Sequence, residues 1–592
     1  EKAYGNALLT EMTHMASLLP KHPSLSSLFF GGGTPSLMPP RLVEQLITHA
    51  QSLFGFAADI EITAEANPTS IEVKSMLEFR QAGINRVSMG VQSLDANTTG
   101  VSNTAVGTNS LAGNTTGGNN VAIGLSSSYT NTTGAQNVSV GRQSLYANTT
   151  GFYNNAIGSD ALFANTTGQR NNSIGTYSMA ANTTGNYNSA LGDQTLRNNT
   201  SGDSNVAIGY QSLFANTTAN NNTGVGYSSL KANTTGYNNT AVGQNALTAN
   251  TTAINNTALG VNAGASLVSG QQNVFVGANA GDAFTTGENN TAVGQGALAN
   301  DDVGLGSTAI GTQAMTFQNI ASATYTRNTA VGFQSLYYNV TGQQNTTLGY
   351  RAGFGSVSGA SMSGLTAIGH NAGVNITTGS NNTFVGNSSG GNTTSGDLNT
   401  AIGSTALYTN TVGDRSVAVG YQALYYQNPS SNLDMYNTAV GYNAGAAITT
   451  GQNNTFIGGL AGDGKTTANN NTAVGRGAIT SAGSGSENTA VGASSLYTLT
   501  TGTGNQALGW QSGYYLTTGS YNSLLGHNSG VSLTTGTSNA ILGGFAGDAL
   551  NTGVQNTVVG YNALTTATTT SGNTAVSEND VINSINDANE EF

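Results

Sequence analysis

The chain of 592 residues contains no cysteine, only 7 prolines and only 7% charged residues. The absence of cysteine excludes disulfides, thiolate zinc sites, a cysteine nucleophile and an iron–sulfur cluster ligated by these residues. There are 15 basic residues against 27 acidic ones, for a net charge of −12, so we expect no nucleic-acid partner. No apolar run is long enough to cross a bilayer, so we expect no membrane span.

Two compositions meet near residue 90. The first part reads as alternating helices and strands, at 4–19, 25–30, 40–54, 60–67, 70–82 and 86–91. The remainder is mostly Asn, Thr, Gly, Ala and Ser. We therefore assign a truncated α/β fragment at 1–95, a repeat region at 96–577 and a polar, acidic tail at 578–592. The chain begins at Glu1 rather than at Met, and we expect it to be a fragment.

The long region repeats every 17 residues, with a consensus near N-T-A-V-G-Y-N-A-L-Y-A-N-T-T-G-x-N. We number each repeat from the Gly of its A-V-G or A-I-G as position 0, so that Gly107 and Gly124 begin a series of 28 that ends at Ser577. Position −1 is always Val, Ile or Leu, which suits stacked parallel strands. The expected fold is mainly β: a parallel β-solenoid (β-roll) of about 28 coils, ~130 Å long, after a small truncated α/β segment.

The repeat also predicts how each coil is filled. We expect the −1 row to form the core and the −2 residue, usually Ala, to face outward, either against an identical neighbour or as a small tolerated side chain. Where Gly occurs at +4, an apolar residue such as Leu267 or Phe284 often appears at +7, so we expect these two positions to share one interior space. Asn-Thr-Thr-Gly predicts a corner in which Gly takes a positive φ and stacked Asn and Thr form inter-coil ladders.

Outward positions suggest binding surfaces. Tyr at +1 and +5, as at Tyr146, Tyr408 and Tyr425, predicts either sugar-binding stripes or a cover for the edge of the core. Thr rows at −3, +8 and +9 are the basis of an alternative hypothesis, an ice-binding solenoid. The recurring A-G-D aspartates, such as Asp463, lie in non-adjacent coils, so we expect no metal site.

The pattern N-T-A-[VI]-G…A-L…N-T-T-G over 101–577 resembles repeats of bacteriophage and bacterial tail-fibre-type proteins. It is also similar to the shorter N-S-x-A-I-G head repeats of trimeric autotransporter adhesins. The resemblance implies a homotrimeric fibre that is extracellular, at a cell surface or in a virion, and that binds a cell-surface or glycan receptor. A non-enzymatic, elongated adhesive fibre is therefore the leading hypothesis.

Three strings in the first 95 residues, FFGGGTPSLM, EITAEANP and AGINRVSMGVQS, resemble coproporphyrinogen III oxidase-like radical-SAM enzymes, the branch that includes haem chaperones. The resemblance implies S-adenosylmethionine contacts at Gly32, Gly33, Thr34, Glu65 and Gln92. That family also needs a C-x-x-x-C-x-x-C motif for a 4Fe-4S cluster, without which no radical chemistry follows. We therefore expect no bound cofactor and no catalytic residue, and keep a radical-SAM enzyme as a further alternative.

The junction between the two parts falls within a shared string. Gly90 lies 17 residues before Gly107, and MGVQSLDANTTG fits VGRQSLYANTTG at 140–151 almost throughout. The enzyme-like G-V-Q-S thus coincides with the G-x-Q-S of the repeat. We interpret the join as a crossover or a sequence-assembly event rather than a selected two-domain enzyme.

Overall fold

The chain forms two compact units, Glu1–Asn220 and Asn221–Phe592. The computed structural model describes residues 2–19, 24–31, 35, 38–66, 77–89 and 96–576. The first unit contains a small α/β part and the first coils of a parallel β-solenoid, and the second unit contains further coils. The predicted tail at 578–592 and most of the predicted helix at 70–82 lie outside the described residues.

The α/β part is a three-stranded parallel sheet, in the order β1-β2-β3. Its elements are α1 (Lys2–Ser17), β1 (Leu25–Phe30), α2 (Pro40–Phe54), β2 (Phe56–Ala66) and β3 (Arg86–Met89), and residues 77–81 are helical. Helix α2 buries one face at helical spacing, made of Val43, Leu46, Ile47 and Ala50. The alternation of helices and strands predicted from the sequence is confirmed, because parallel neighbours require crossover connections.

Each coil of the solenoid contributes one short strand at positions −3 to −1, and within each unit consecutive strands pair in parallel and in register. In the first unit these strands are β4 (Thr104–Val106), β5 (Val121–Ile123), β6 (Val138–Val140), β7 (Asn155–Ile157), β8 (Asn172–Ile174), β9 (Ser189–Leu191) and β10 (Val206–Ile208). In the second unit they are β11 (Thr223–Val225), β12 (Thr240–Val242), β13 (Thr257–Leu259), β14 (Val274–Val276), β15 (Thr291–Val293), β16 (Thr308–Ile310), β17 (Thr329–Val331), β18 (Thr346–Leu348), β19 (Thr366–Ile368), β20 (Thr383–Val385), β21 (Thr400–Ile402), β22 (Val417–Val419), β23 (Thr438–Val440), β24 (Thr455–Ile457), β25 (Thr472–Val474), β26 (Thr489–Val491), β27 (Gln506–Leu508), β28 (Ser523–Leu525), β29 (Ala540–Leu542), β30 (Thr557–Val559) and β31 (Thr574–Ala575). The described residues thus confirm a parallel β-solenoid with one strand per repeat.

The two faces of these strands are the reverse of those predicted. The −2 residue points into the coil, where Ala122 and Ala156 are completely buried. The −1 residue points outward, where Ile123 keeps 39% and Ile157 40% of its surface exposed. The prediction of a −1 core and an outward −2 row was therefore wrong. Successive strand residues face opposite sides, so when the −2 residue is buried the −1 residue faces outward, whichever of the two is larger.

Three positions, rather than two, share the interior space. Phe275 at −2 is fully buried, and a Cβ placed on Gly264, at +4 of the preceding coil, would lie 2.6 Å from its ring. The same ring lies 5.5 Å, centroid to centroid, from that of Phe284 at +7. A large −2 residue therefore requires Gly at +4. The predicted exchange between +4 and +7 omitted this side chain because the prediction had assigned position −2 to the outer surface.

Two buried asparagine ladders connect the coils. At +7, Asn131 Nδ2 donates to Asn114 Oδ1 of the preceding coil at 2.7 Å and to the Gly134 carbonyl at 2.9 Å. At −4, the Asn137 backbone N–H donates to Asn120 Oδ1 at 3.0 Å. The predicted inter-coil asparagine ladders are confirmed, and their hydrogen bonds satisfy amides that the coil removes from water.

The glycine of Asn-Thr-Thr-Gly is needed for close approach rather than for its backbone angle. A Cβ on Gly134 or Gly168 would lie 2.5 Å from a carbonyl oxygen of the next coil. Positive φ occurs instead at position 0, with 134° at Gly124 and 136° at Gly141. The expected positive φ at the Asn-Thr-Thr-Gly corner was wrong, because sequence alone does not distinguish the two reasons for a glycine.

Residues 96–103 already follow the coil pattern. Asn97 Oδ1 accepts a hydrogen bond from Asn114 Nδ2 at 2.9 Å, and Asn103 Oδ1 accepts one from the Asn120 N–H at 2.9 Å. Both asparagine ladders therefore start within this short segment.

Longer repeats place their extra residues at one corner of the coil, after position +7. In two of them Gln replaces the ladder Asn, and Gln318 Oε1 and Gln427 Oε1 each accept a hydrogen bond at 2.9 Å, from Asn328 and Asn437 of the −4 ladder. In the described coils the strand face at −3 to −1 carries no insertion. Insertions are thus confined to a different part of the coil from the outward strand face.

Candidate functional surfaces

The structure describes one of the five residues matched to S-adenosylmethionine contacts. Glu65 lies near the end of β2, in register with β3, and its side chain is exposed. Gly32, Gly33, Thr34 and Gln92 lie outside the described residues. The role of all five in binding the cofactor stays a prediction.

The outward side chains at −1 form a row along the coils of each unit, which we call the aliphatic row. In the second unit Leu508, Leu525 and Leu542 are 48%, 43% and 44% exposed. With Val559 and Ser523 they line an apolar groove of about 480 Å³. Apolar surface repeated from coil to coil is costly in water, so the aliphatic row is a candidate contact surface.

Aromatic side chains at +5 stack along another edge of the coils, and we call them the aromatic row. The ring of Tyr146 lies 5.2 Å from that of Tyr129 and 5.1 Å from that of Phe163, centroid to centroid. Tyr408 and Tyr425 stack in the same way at 5.4 Å. Because the rings cover one another, only their edges and the outer faces of the end rings are open to a ligand.

The first stack ends at Phe163 because the next +5 residue is Ala180 and the one after it is Arg197. The guanidinium carbon of Arg197 lies 4.9 Å from the ring centroid of Tyr177 and 5.9 Å from that of Phe214. Phe163, Tyr177, Ala180 and Arg197 line a groove of about 430 Å³. We call the space above Ala180, between Phe163 and Arg197, the aromatic gap.

Arg142 stands on the other wall of this groove. It forms an ion pair with Asp160, whose side chain is only 9% exposed, and its Nη1 donates to Gln143 Oε1 at 2.7 Å. Ser159 Oγ also donates to Asp160, at 2.9 Å. In the part of the chain that the structure describes, Arg197 forms no ion pair. This groove was not predicted from the sequence, although Phe, Ala and Arg at successive +5 positions were its signal.

Among the described residues of the second unit, two ionisable side chains are fully buried inside coils. Asp301 takes the place of a ladder Asn at +7, and burial raises its pKa to about 6 although Gln318 Nε2 donates to it at 2.6 Å. Lys465, also at +7, is fully buried, and its Nζ donates to the carbonyls of Leu499 at 2.6 Å and Thr500 at 3.2 Å. Burial lowers the pKa of Lys465 to about 8.

The N-terminal part is similar to a large enzyme superfamily. The sequence model of the Radical SAM superfamily matches residues 7–108. The chain is 36% identical over 97 residues to heme chaperone HemW of Buchnera aphidicola subsp. Schizaphis graminum and 42% identical over 69 residues to HemW of Escherichia coli (strain K12). It is 37% identical over 94 residues to oxygen-independent coproporphyrinogen III oxidase of Paracoccus denitrificans (strain Pd 1222).

These alignments cover a small part of each protein. They span 16%, 12% and 16% of this chain and 26%, 18% and 21% of the respective relatives. The chain therefore spans about a quarter or less of the relatives it matches. No solved structure matches it. The predicted similarity to radical-SAM proteins is confirmed for the N-terminal part, and the resemblance of the repeats to tail fibres and adhesins stays a prediction.

The residues present do not fit an iron–sulfur cluster. The 592 residues contain no cysteine, so they supply no thiolate ligand. Within the described ranges, no group of three or more His, Cys, Asp or Glu side chains is placed to hold a metal ion. We therefore derive no radical step for this chain. No described helix is both long and apolar enough to cross a membrane.

Proposed function

We propose that the chain is a non-enzymatic repeat fibre with an adhesive role, of the tail-fibre or adhesin kind, displayed outside the cell, at a cell surface or on a virion. The observation that carries this proposal is the repetition of outward aliphatic and aromatic side chains at fixed positions of the coil. Such rows present the same chemistry many times, which favours multivalent contact with another surface over chemistry at one converging site.

We further propose that copies associate along the aliphatic row, as a homotrimer. About 20 coils that each bury ~40 Å² would remove roughly 800 Å² per copy from water, and a trimer divides this area between the two interfaces that each copy forms. A second copy of the chain has the same spacing between coils. The side chains of its aliphatic row therefore interdigitate with those of the first copy along the whole row. Insertions on another corner of the coil leave this face unobstructed.

The self-association is tested by equilibrium sedimentation of the full chain. The variant Leu525→Glu/Leu542→Glu places charges in the apolar groove and should shift the protein from trimer to monomer. Thr518→Glu adds a charge to an exposed residue on nearby coils, away from the aliphatic row, and should leave the trimer intact. A monomeric unmodified chain would contradict the proposal.

Receptor binding is tested by adhesion of the labelled full chain to cells before and after enzymatic removal of surface glycans. Adhesion that depends on the glycans supports a glycan receptor, and the absence of adhesion to all cells tested contradicts the adhesive role.

The radical-SAM alternative predicts an iron–sulfur absorbance band after anaerobic reconstitution of the full chain. Such a band would contradict the non-enzymatic assignment.

The ice-binding alternative depends on outward Thr hydroxyls. At +8, however, Thr132 Oγ1 and Thr183 Oγ1 donate to carbonyls of the next coil at 2.9 Å, so these hydroxyls are engaged within the chain. Fewer free hydroxyls therefore face water than the sequence suggested. Thermal hysteresis of a dilute solution of the full chain would favour this alternative over the adhesive fibre.

A further inference from the structure

The aromatic row of the first unit is interrupted at a single coil. Phe163 and Arg197 occupy +5 two coils apart, and Ala180 between them presents only a methyl group. Parallel strands lie ~4.8 Å apart, so these two residues are separated by about 10 Å along the stack. A six-membered ring placed over Ala180 would lie about 5 Å from the Phe163 ring, beside Tyr177 of the same coil, over which the Arg197 guanidinium lies. Tyr146 and Phe163 stack at nearly this separation, 5.1 Å.

The charges around the aromatic gap favour an anion. The groove is lined by two guanidinium groups and one carboxylate, and Asp160 is already paired with Arg142. Arg197 forms no ion pair within the described residues, and its guanidinium lies over the Tyr177 ring. In a chain of net charge −12, this groove is a local positive site. A guanidinium binds a carboxylate through two parallel hydrogen bonds.

We propose that the aromatic gap binds one carboxylated sugar residue, with its ring against Phe163 and its carboxylate on Arg197. The apolar face of a pyranose stacks on an aromatic ring, and the groove of about 430 Å³ has the volume of a small-molecule site. The buried Asp160 holds Arg142 in place, so one wall of the groove is ordered before a ligand arrives. This inference rests on the proposed adhesive function and assigns a ligand class to one of its surfaces.

The carboxylate requirement is tested with two probes that differ only in that group, methyl β-D-glucuronide and methyl β-D-glucoside. Each is titrated into the full chain at low ionic strength in a calorimeter. We expect the glucuronide to bind at least tenfold more tightly than the glucoside, and its affinity to fall as salt is added. Equal binding of the two probes, or no binding of the glucuronide, would overturn the inference.

Two variants locate the binding. Ala180→Tyr fills the aromatic gap with the residue found at other +5 positions, and should abolish glucuronide binding while the melting temperature is kept. Arg197→Gln should weaken it at least tenfold. The matched control is Arg170→Gln, because Arg170 also lies over two tyrosine rings, at 5.7 and 5.4 Å, but at +12 of the coil. Undiminished binding by Ala180→Tyr would refute the assignment.

The cell-adhesion and glucuronide-binding experiments together distinguish a failure of this inference from a failure of the proposed function. A chain that adheres to cells but binds no glucuronide refutes the carboxylated-sugar assignment and leaves the adhesive fibre standing. A chain that binds glucuronide in the aromatic gap but adheres to no cell supports the binding site and refutes the adhesive function.

Discussion

Replacement of Lys465 by Leu tests how the solenoid tolerates a charge in its interior. Lys465 occupies +7, where the coil of Gly264 carries Leu267, and it is fully buried. Burial lowers its pKa from 10.5 to about 8. At pH 7 the amine is charged in both the folded and the unfolded chain, so this difference destabilises the fold by about 3 kcal/mol, at 1.36 kcal/mol per pH unit.

Leucine removes this penalty but also removes a hydrogen bond. Lys465 Nζ donates to the Leu499 carbonyl at 2.6 Å, and the loss of that donor costs about 1 kcal/mol. We therefore expect Lys465→Leu to stabilise the surrounding coils by about 2 kcal/mol at pH 7. The lysine penalty is complete below pH 8, declines as pH rises through the folded pKa and is gone above 10.5. The advantage of leucine should therefore disappear and change sign at high pH.

The measurement must be local, because repeat arrays open in parts rather than as one cooperative unit. Hydrogen–deuterium exchange of peptides spanning 458–500 reports the opening free energy of these coils, with the unmodified chain and the variant compared at each pH. The control is Lys231→Leu, since Lys231 is only half-buried, at +5. Equal protection of the Lys465→Leu variant and the unmodified chain at pH 7 would refute the reasoning, as would a gain that does not change with pH.

Two further predictions concern the interior. Burial raises the Asp301 pKa from 3.8 to about 6, so its neighbourhood should lose about 3 kcal/mol of stability as pH rises through that interval. Hydrogen–deuterium exchange of the peptides around residue 301 should show no such loss in Asp301→Asn, and an unchanged pH dependence in this variant would contradict the prediction. Gly264→Ala should cost about 2 kcal/mol because its Cβ would lie 2.6 Å from the Phe275 ring. In the double variant with Phe275→Ala, the opening free energy from hydrogen–deuterium exchange of these coils should fall by less than the sum of the two single effects, whereas additive effects would show that the two residues do not interact.

The period of 17 residues and the single strand per repeat were predictable because each coil repeats the same local choices of strand, turn and aliphatic residue. The asparagine ladders followed as well, because identical amides stacked in register can pair only with one another. Glu65 was matched by its motif, and the structure places it in β2 with an exposed side chain. A motif and a repeat period can both be recognised from the order of residues along the chain.

The order of residues does not show which face of each strand points inward. Ala122 and Ile123 are neighbours and both apolar, so the pattern allows either to be buried. The tertiary structure buries Ala122, because the interior of the coil is already occupied by residues at +4, +7 and −4 and has room only for a small side chain. The aromatic gap between Phe163 and Arg197 likewise exists only when coils are stacked. The sequence alone determined the periodic fold, whereas the packing of side chains across coils decided its core and its surfaces.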